Sequence, residues 1–213
     1  METKHKVYNL IILDESGSMN SIKETIIQGF NEIVQTVKGV ATQFPEQEHL
    51  ISFVSFNGLA TTTHLERVGV AELNELDGSK YQPAASTPLF DAMGDSIAAL
   101  RKETDQATDH NVLVTILTDG RENASKEYTG ATIKKMVDEL SLKNWTFTYI
   151  GADHDVENFA ASISIKNTMR FEKNQKDMKR MFSVEKMSRA SYSQRIRNKE
   201  NTNDNYYADD SKT

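Results

Sequence analysis

Four short apolar stretches, rich in β-branched and aromatic residues, punctuate the chain: VYNLIIL (Val7 to Leu13), LISFVSF (Leu50 to Phe56), NVLVTILT (Asn111 to Thr118) and WTFTYIG (Trp145 to Gly151). Each has the length of a strand, and the first and third are apolar enough to be buried on both faces. Between them the apolar spacing lengthens to three and four. Ile22, Ile26, Phe30, Ile33 and Val37 mark one helix, Leu89, Met93, Ile97 and Leu100 a second, and Ile133, Met136, Val137 and Leu140 a third. Strands alternating with helices predict an α/β fold: a doubly wound, mostly parallel sheet with helices on both faces. Asn57-Gly58 followed by Leu59 to Val68 predicts a tight hairpin and one antiparallel edge strand. Beyond Gly151 the pattern gives a short helix (Val156, Phe159, Ala160, Ile163), a last strand at Thr168 to Phe171, and a Met-rich amphipathic helix through Met178, Met181 and Phe182. These methionines read as gap-filling core contacts. From Ser191 the sequence turns polar, so residues 1–190 are expected to form one domain and 191–213 a disordered tail.

Composition narrows the function classes. The 213 residues carry 25 Lys and Arg against 31 Asp and Glu, a net charge of -6, so no global basic field attracts nucleic acid or anionic lipid. Cysteine is absent, which excludes disulfides, thiolate metal sites and a cysteine nucleophile. A bound metal must then take oxygen or histidine ligands. The opening METKHKVYNLIIL runs into Asp14-Glu15 instead of a small-residue cleavage site, and no apolar run approaches the roughly 18 residues of a membrane-spanning helix. A cytoplasmic location is the expectation.

The first strand stops at Asp14 and is followed by hydroxyls at Ser16 and Ser18. In a parallel α/β sheet, ligands gather at the carboxyl ends of the strands, near the point where the winding reverses. On an extended turn, alternate side chains face the same way, so D-x-S-x-S aims one carboxylate and two hydroxyls at one small volume. Such oxygen ligation suits magnesium or manganese. Two further segments offer matching groups: Thr87, just before Pro88 and the second helix, and Asp119, directly after the third apolar strand. With the usual doubly wound order, Asp14 and Asp119 face each other across one crevice.

Asp14-x-Ser16-x-Ser18, Thr87-Pro88 before a helix, and Thr118-Asp119-Gly120 after an apolar strand together resemble the von Willebrand factor type A domain family with a complete metal-ion-dependent adhesion site. The resemblance runs from Lys6 to about Arg189, with all five motif positions filled, and implies a small intracellular member of bacterial or phage type. It implies that Ser16, Ser18 and Thr87 present hydroxyl oxygens to a divalent ion, and that Asp14 and Asp119 bind it directly or through water. It also implies that a Glu or Asp of a partner protein completes the coordination. The expected function is therefore metal-dependent protein binding.

Each residue also has a purely structural reading. Ser18 or Ser21 fits a helix cap, Ser21 through the box Ser21-Ile22-Lys23-Glu24. Thr87-Pro88 fits an N-cap with proline at the first helical position, and Asp119-Gly120 fits an ordinary turn. What favours the metal is that all of them place oxygen ligands at one sheet edge. His49, His64, His110 and His154 show no ligand spacing, and only His154 is a rim candidate. Glu15 and Asn123 lie beside ligand positions and read as solvated loop residues or as residues that tune the pocket. The lysines and arginines from Lys166 to Arg197 read as a solvated basic face.

Among enzymes, an EF-hand loop from Asp14 fails at Met19 and Thr25, and neither phosphate-binding nor dinucleotide glycine patterns nor G-x-S-x-G occur. An aspartyl-phosphate receiver lacks its phosphoacceptor in SFNG. A metal-dependent phosphoryl hydrolase using the same oxygens is the alternative function, with metal-bound water as its nucleophile. No general base accompanies the cluster in sequence, so the chain is read as a non-enzyme.

Overall fold

The structure, a computed structural model, describes residues 4–207. Six strands form one sheet in the order β3-β2-β1-β4-β5-β6: β1 (His5–Asp14), β2 (Gln47–Phe56), β3 (Thr61–Gly69), β4 (His110–Thr118), β5 (Trp145–Gly151) and β6 (Asn167–Arg170). All pairings are parallel except β2 with β3, which is the antiparallel hairpin edge. The helices are α1 (Lys23–Gln43), α2 (Leu89–Thr104), α3 (Gly130–Ser141), α4 (Val156–Ser162) and α5 (Gln175–Arg197). Among the described residues no helix is long and apolar enough to cross a membrane.

Alternation along β1 sorts its side chains between two cores. Ile11 and Leu13 join Ile26, Phe30 and Ile33 of α1 and Met178, Met181 and Phe182 of α5 on one face. Tyr8, Leu10 and Ile12 join Leu89, Met93 and Ile97 of α2, Ile133 and Val137 of α3 and Val156 of α4 on the other. From Val7 onward β1 is buried throughout, and β4 is buried beyond its first residue. Covering helices on both sides leave no solvent face, so a continuous apolar run is the stable solution. The winding reverses between β1 and β4, whose ends pair in register from Lys6 with His110 to Leu13 with Leu117. Asp14 and Asp119 thus emerge side by side.

Two expectations need correction. No disordered tail starts at Ser191: α5 continues to Arg197, and Tyr192 and Tyr206 are buried against Val7 and Leu113. Part of its polar sequence is met by polar groups of the sheet, while residues 197–201 stay exposed. Asn111 donates to Thr202 Oγ1, Thr146 to the Thr202 carbonyl, Asn167 to the Asn203 carbonyl, and the Tyr206 N–H to Asn167 Oδ1. Residues 208–213 of that expected tail lie outside the described residues. The basic face is also not uniformly solvated: Arg189 is buried, paired with Glu185 at 2.8 Å and bonded to Asn9 and Thr115 of the sheet.

Candidate metal centre

Beyond Asp14 the chain turns into a single 3-10 segment, Gly17–Ile22, before α1. The turn is fixed by Asp14 itself, whose Oδ1 accepts the Ser16 N–H at 2.7 Å while Oδ2 accepts the Thr118 hydroxyl at 2.5 Å. Asp14 is 0% exposed, and burial pushes its carboxyl up to about 6; the bonds from Thr118 and Ser16 offset part of that push and the charge of Asp119 adds to it. Ser16 Oγ lies 3.2 Å from Ser18 Oγ, and Ser18 donates to Asp119 Oδ1 at 2.5 Å. Ser16, Thr87 and Asp119 are buried, whereas Ser18 is exposed, so the cluster opens to solvent on the Ser18 side.

Thr87 reaches the same point from the other segment. A Cβ placed on Gly120 would lie 3.3 Å from Thr87 Oγ1, 3.6 Å from Ser18 Oγ and 3.8 Å from Asp14 Oδ2. Oxygens from two distant stretches, the Asp14 turn and the segment ending at Thr87, therefore surround one position beside Gly120, next to Asp119 of a third. Among the described residues no group of three or more His, Asp or Glu side chains gathers in a metal-holding arrangement. This cluster has two carboxylates, and its remaining oxygens are hydroxyls, the donor set of a hard cation.

The capping alternatives are decided by geometry. Helix α1 begins at Lys23 with no side-chain cap, and Ser21 Oγ bonds only to the Ser18 carbonyl. Thr87 does not cap α2 either. The Phe90 and Asp91 N–H groups donate across to Glu122 Oε2 and Ser125 Oγ at 2.9 and 3.1 Å. The helix N-terminus is satisfied from the opposite loop, which leaves the Thr87 hydroxyl free to face the cluster.

A family model for the von Willebrand factor type A domain matches residues 10–191. The chain belongs to this family. Among solved structures, the SpRpn10 VWA domain is similar with a TM-score of 0.54 at 9% identity, over 84% of this chain and 94% of that one. Proximal thread matrix protein 1 from the mussel byssus gives a TM-score of 0.47 at 15% identity, over 87% of this chain. This chain spans about half of that mussel chain, 47% of its length. No curated protein matches in sequence.

Several residues that shape the site of this VWA domain carried little sequence signal. Asn123 clamps Thr87 through both backbone groups, its Oδ1 accepting the Thr87 N–H and its own N–H donating to the Thr87 carbonyl. Glu15 is no solvated loop residue. Its carboxylate accepts the Gln82 N–H on one oxygen and the Ser55 hydroxyl, 2.6 Å away, on the other. Together with bonds from Tyr81 OH to the Asp14 carbonyl, from Ala84 N–H to the Glu15 carbonyl and from Gly17 N–H to the Ala85 carbonyl, it fastens the segment before Thr87 onto the Asp14 turn. His64 bonds Ser55 and stacks on Phe53, while His154 is buried between Tyr149 OH and the Ala152 carbonyl, a satisfied residue instead of the rim candidate. Lys173, between β6 and α5, places Nζ 2.7 Å from Asp119 Oδ2 and 2.5 Å from Asp153 Oδ2. Burial alone would lower its ammonium, but the bonds to Asp119 and Asp153 outweigh that and hold it above the usual lysine range.

Proposed function

We propose that this VWA domain is a metal-dependent protein-binding module, in which Asp14, Ser16, Ser18, Thr87 and Asp119 hold a magnesium ion, with manganese as a substitute. The observation that carries the reading is the approach of Thr87, Ser18 and Asp14 oxygens to within 4 Å of one point beside Gly120. Domains of this family often serve in protein interactions, which accords with a recognition role. When bound, the ion supplies a hard, positively charged centre that attracts carboxylate oxygens. Five residues offering one oxygen each leave a position of a magnesium ion's octahedral shell open, and a Glu or Asp from a partner protein is the natural complement. Opposite unit charges 4 Å apart attract by about 4 kcal/mol at an effective dielectric of about 20, enough to make an acidic side chain the anchor of an interface. Ser18, the exposed residue of the five, marks the side from which that acid approaches.

The reading stays with binding over turnover. A hydrolase would need a base aimed at the cluster, and His154 is committed to Tyr149 and to a backbone carbonyl. Affinity capture on the immobilised domain, run in magnesium, in excess chelator and with Asp14→Ala, tests the proposal. Partners retained in magnesium alone, and lost with Asp14→Ala, are the expected result. Capture that persists undiminished in chelator overturns it.

A further inference from the structure

Asp119 divides its two oxygens between different tasks. Oδ1 accepts the Ser18 hydroxyl within the cluster, while Oδ2 faces the Lys173 ammonium. The lysine side chain is 21% exposed and the Asp119 side chain fully buried, so this ammonium neutralises a carboxylate that water does not reach. Lys173 is held from behind by Asp153, whose side chain is 58% exposed and sits at the rim. The backbone around it is fixed: the Phe171 N–H donates to the Gly151 carbonyl, the Glu172 N–H to Asp177, and Asn174 caps α5 through the Asp177 N–H. What can move is the four-carbon stem of the lysine, a flexible arm carrying a compact charge.

Resting on the metal-binding reading above, we propose that Lys173 is the resident counter-ion of the site: it neutralises Asp119 in the metal-free domain and must yield that carboxylate when a divalent ion binds. Two cations cannot share one carboxylate without mutual repulsion. On ion binding the ammonium leaves Asp119 and keeps only its pairing with the more exposed Asp153. Lys173 thus sets the affinity of the site, weakening it and making occupancy responsive to the magnesium concentration, and it spares the metal-free fold an unpaired buried charge.

Calorimetric titration of magnesium into the wild-type chain and into Lys173→Met tests this directly. The variant should bind about tenfold more tightly, equivalent to about 1.4 kcal/mol. Amine acylation of the wild-type chain, followed by mass spectrometry with the exposed Lys102 as internal reference, gives a readout that needs no variant. Labelling of Lys173 should rise when magnesium is added, while that of Lys102 stays constant. If the wild-type chain binds magnesium but Lys173→Met binds no more tightly and Lys173 labelling does not change, the counter-ion role is overturned and the metal site stands. If neither chain binds magnesium, the metal reading itself falls. Should Lys173→Met fail to fold, the wild-type labelling alone decides.

Discussion

Thr87 owes its position to Asn123, which bonds both the N–H and the carbonyl of its backbone. No local turn imposes that position, because Pro88 starts the helix without a side-chain cap. Asn123→Ala removes the acceptor of a part-buried N–H, which costs about 1–3 kcal/mol when no other partner replaces it. The expected outcome is a modest fall in thermal midpoint together with a weaker magnesium affinity, measured by calorimetry on the same sample. A fall in stability with unchanged affinity would show that Thr87 does not depend on Asn123. At this scale the sequence was legible where chemistry and spacing coincide, as in Asp14, Ser16 and Ser18 on one turn. It was illegible where the partner lies far along the chain. Asn123 bonds Thr87 across 36 residues, and Lys173 pairs with Asp119 from a different crossover. Lys173 belonged to a run of basic residues whose pattern alone suggests a solvated helix face.

Helix α5 crosses α1 at Gly29, where a Cβ would lie 1.8 Å from the Phe182 ring. The ring occupies the space that glycine leaves open, and the two helices cover one face of the sheet together. Gly29→Ala forces this contact apart; overpacking of this kind costs about 1–3 kcal/mol, more than the helix propensity gained from alanine. Chemical denaturation should therefore show a loss of stability; a gain would mean that α5 accommodates the methyl without strain. The strands and the helical faces were legible because burial fixes their periodicity, as for β1, apolar from end to end since helices cover both sides. The course of residues 73–88 was not, because its bonds to Asp14, Glu15 and Gly17 are tertiary and leave no periodic trace. The last two turns of α5 and the following segment to Tyr206 escaped for a related reason. Some of their polar groups meet polar groups of the sheet, and only Tyr192, Ile196 and Tyr206 signal burial.

On the scale of the whole molecule, the two ends of the sheet carry different chemistry. The carboxyl end holds the oxygen cluster. Nearer the opposite end of β2, His49 is buried, and burial, reinforced by the charges of Arg189 and His5, lowers its imidazole to about 4 from the ordinary 6.5. Between those values the unfolded chain takes up a proton that the folded chain refuses, so stability present above pH 6.5 is lost as the pH falls toward 4. Asp14, raised to about 6, acts in the opposite sense over much of the same range. His49→Gln removes only the histidine part. Urea denaturation of both chains at pH 7 and pH 5 should show the variant's stability change differing from that of the wild type by about 2 kcal/mol in the variant's favour. Parallel pH profiles would contradict the assignment.

In the proposed function, three separate segments make one cation site at the β1–β4 edge. Titration of magnesium into the wild-type chain and into Thr87→Val, with the thermal midpoint of each recorded, tests this most directly, because Thr87 contributes a hydroxyl from the segment that shares no strand with the two acids. The expected result is one magnesium bound per wild-type chain, and binding weakened by at least about tenfold, roughly 1.4 kcal/mol, in a variant that remains folded. A folded Thr87→Val chain that binds magnesium as tightly as the wild type, or a wild-type chain that binds none, would contradict it.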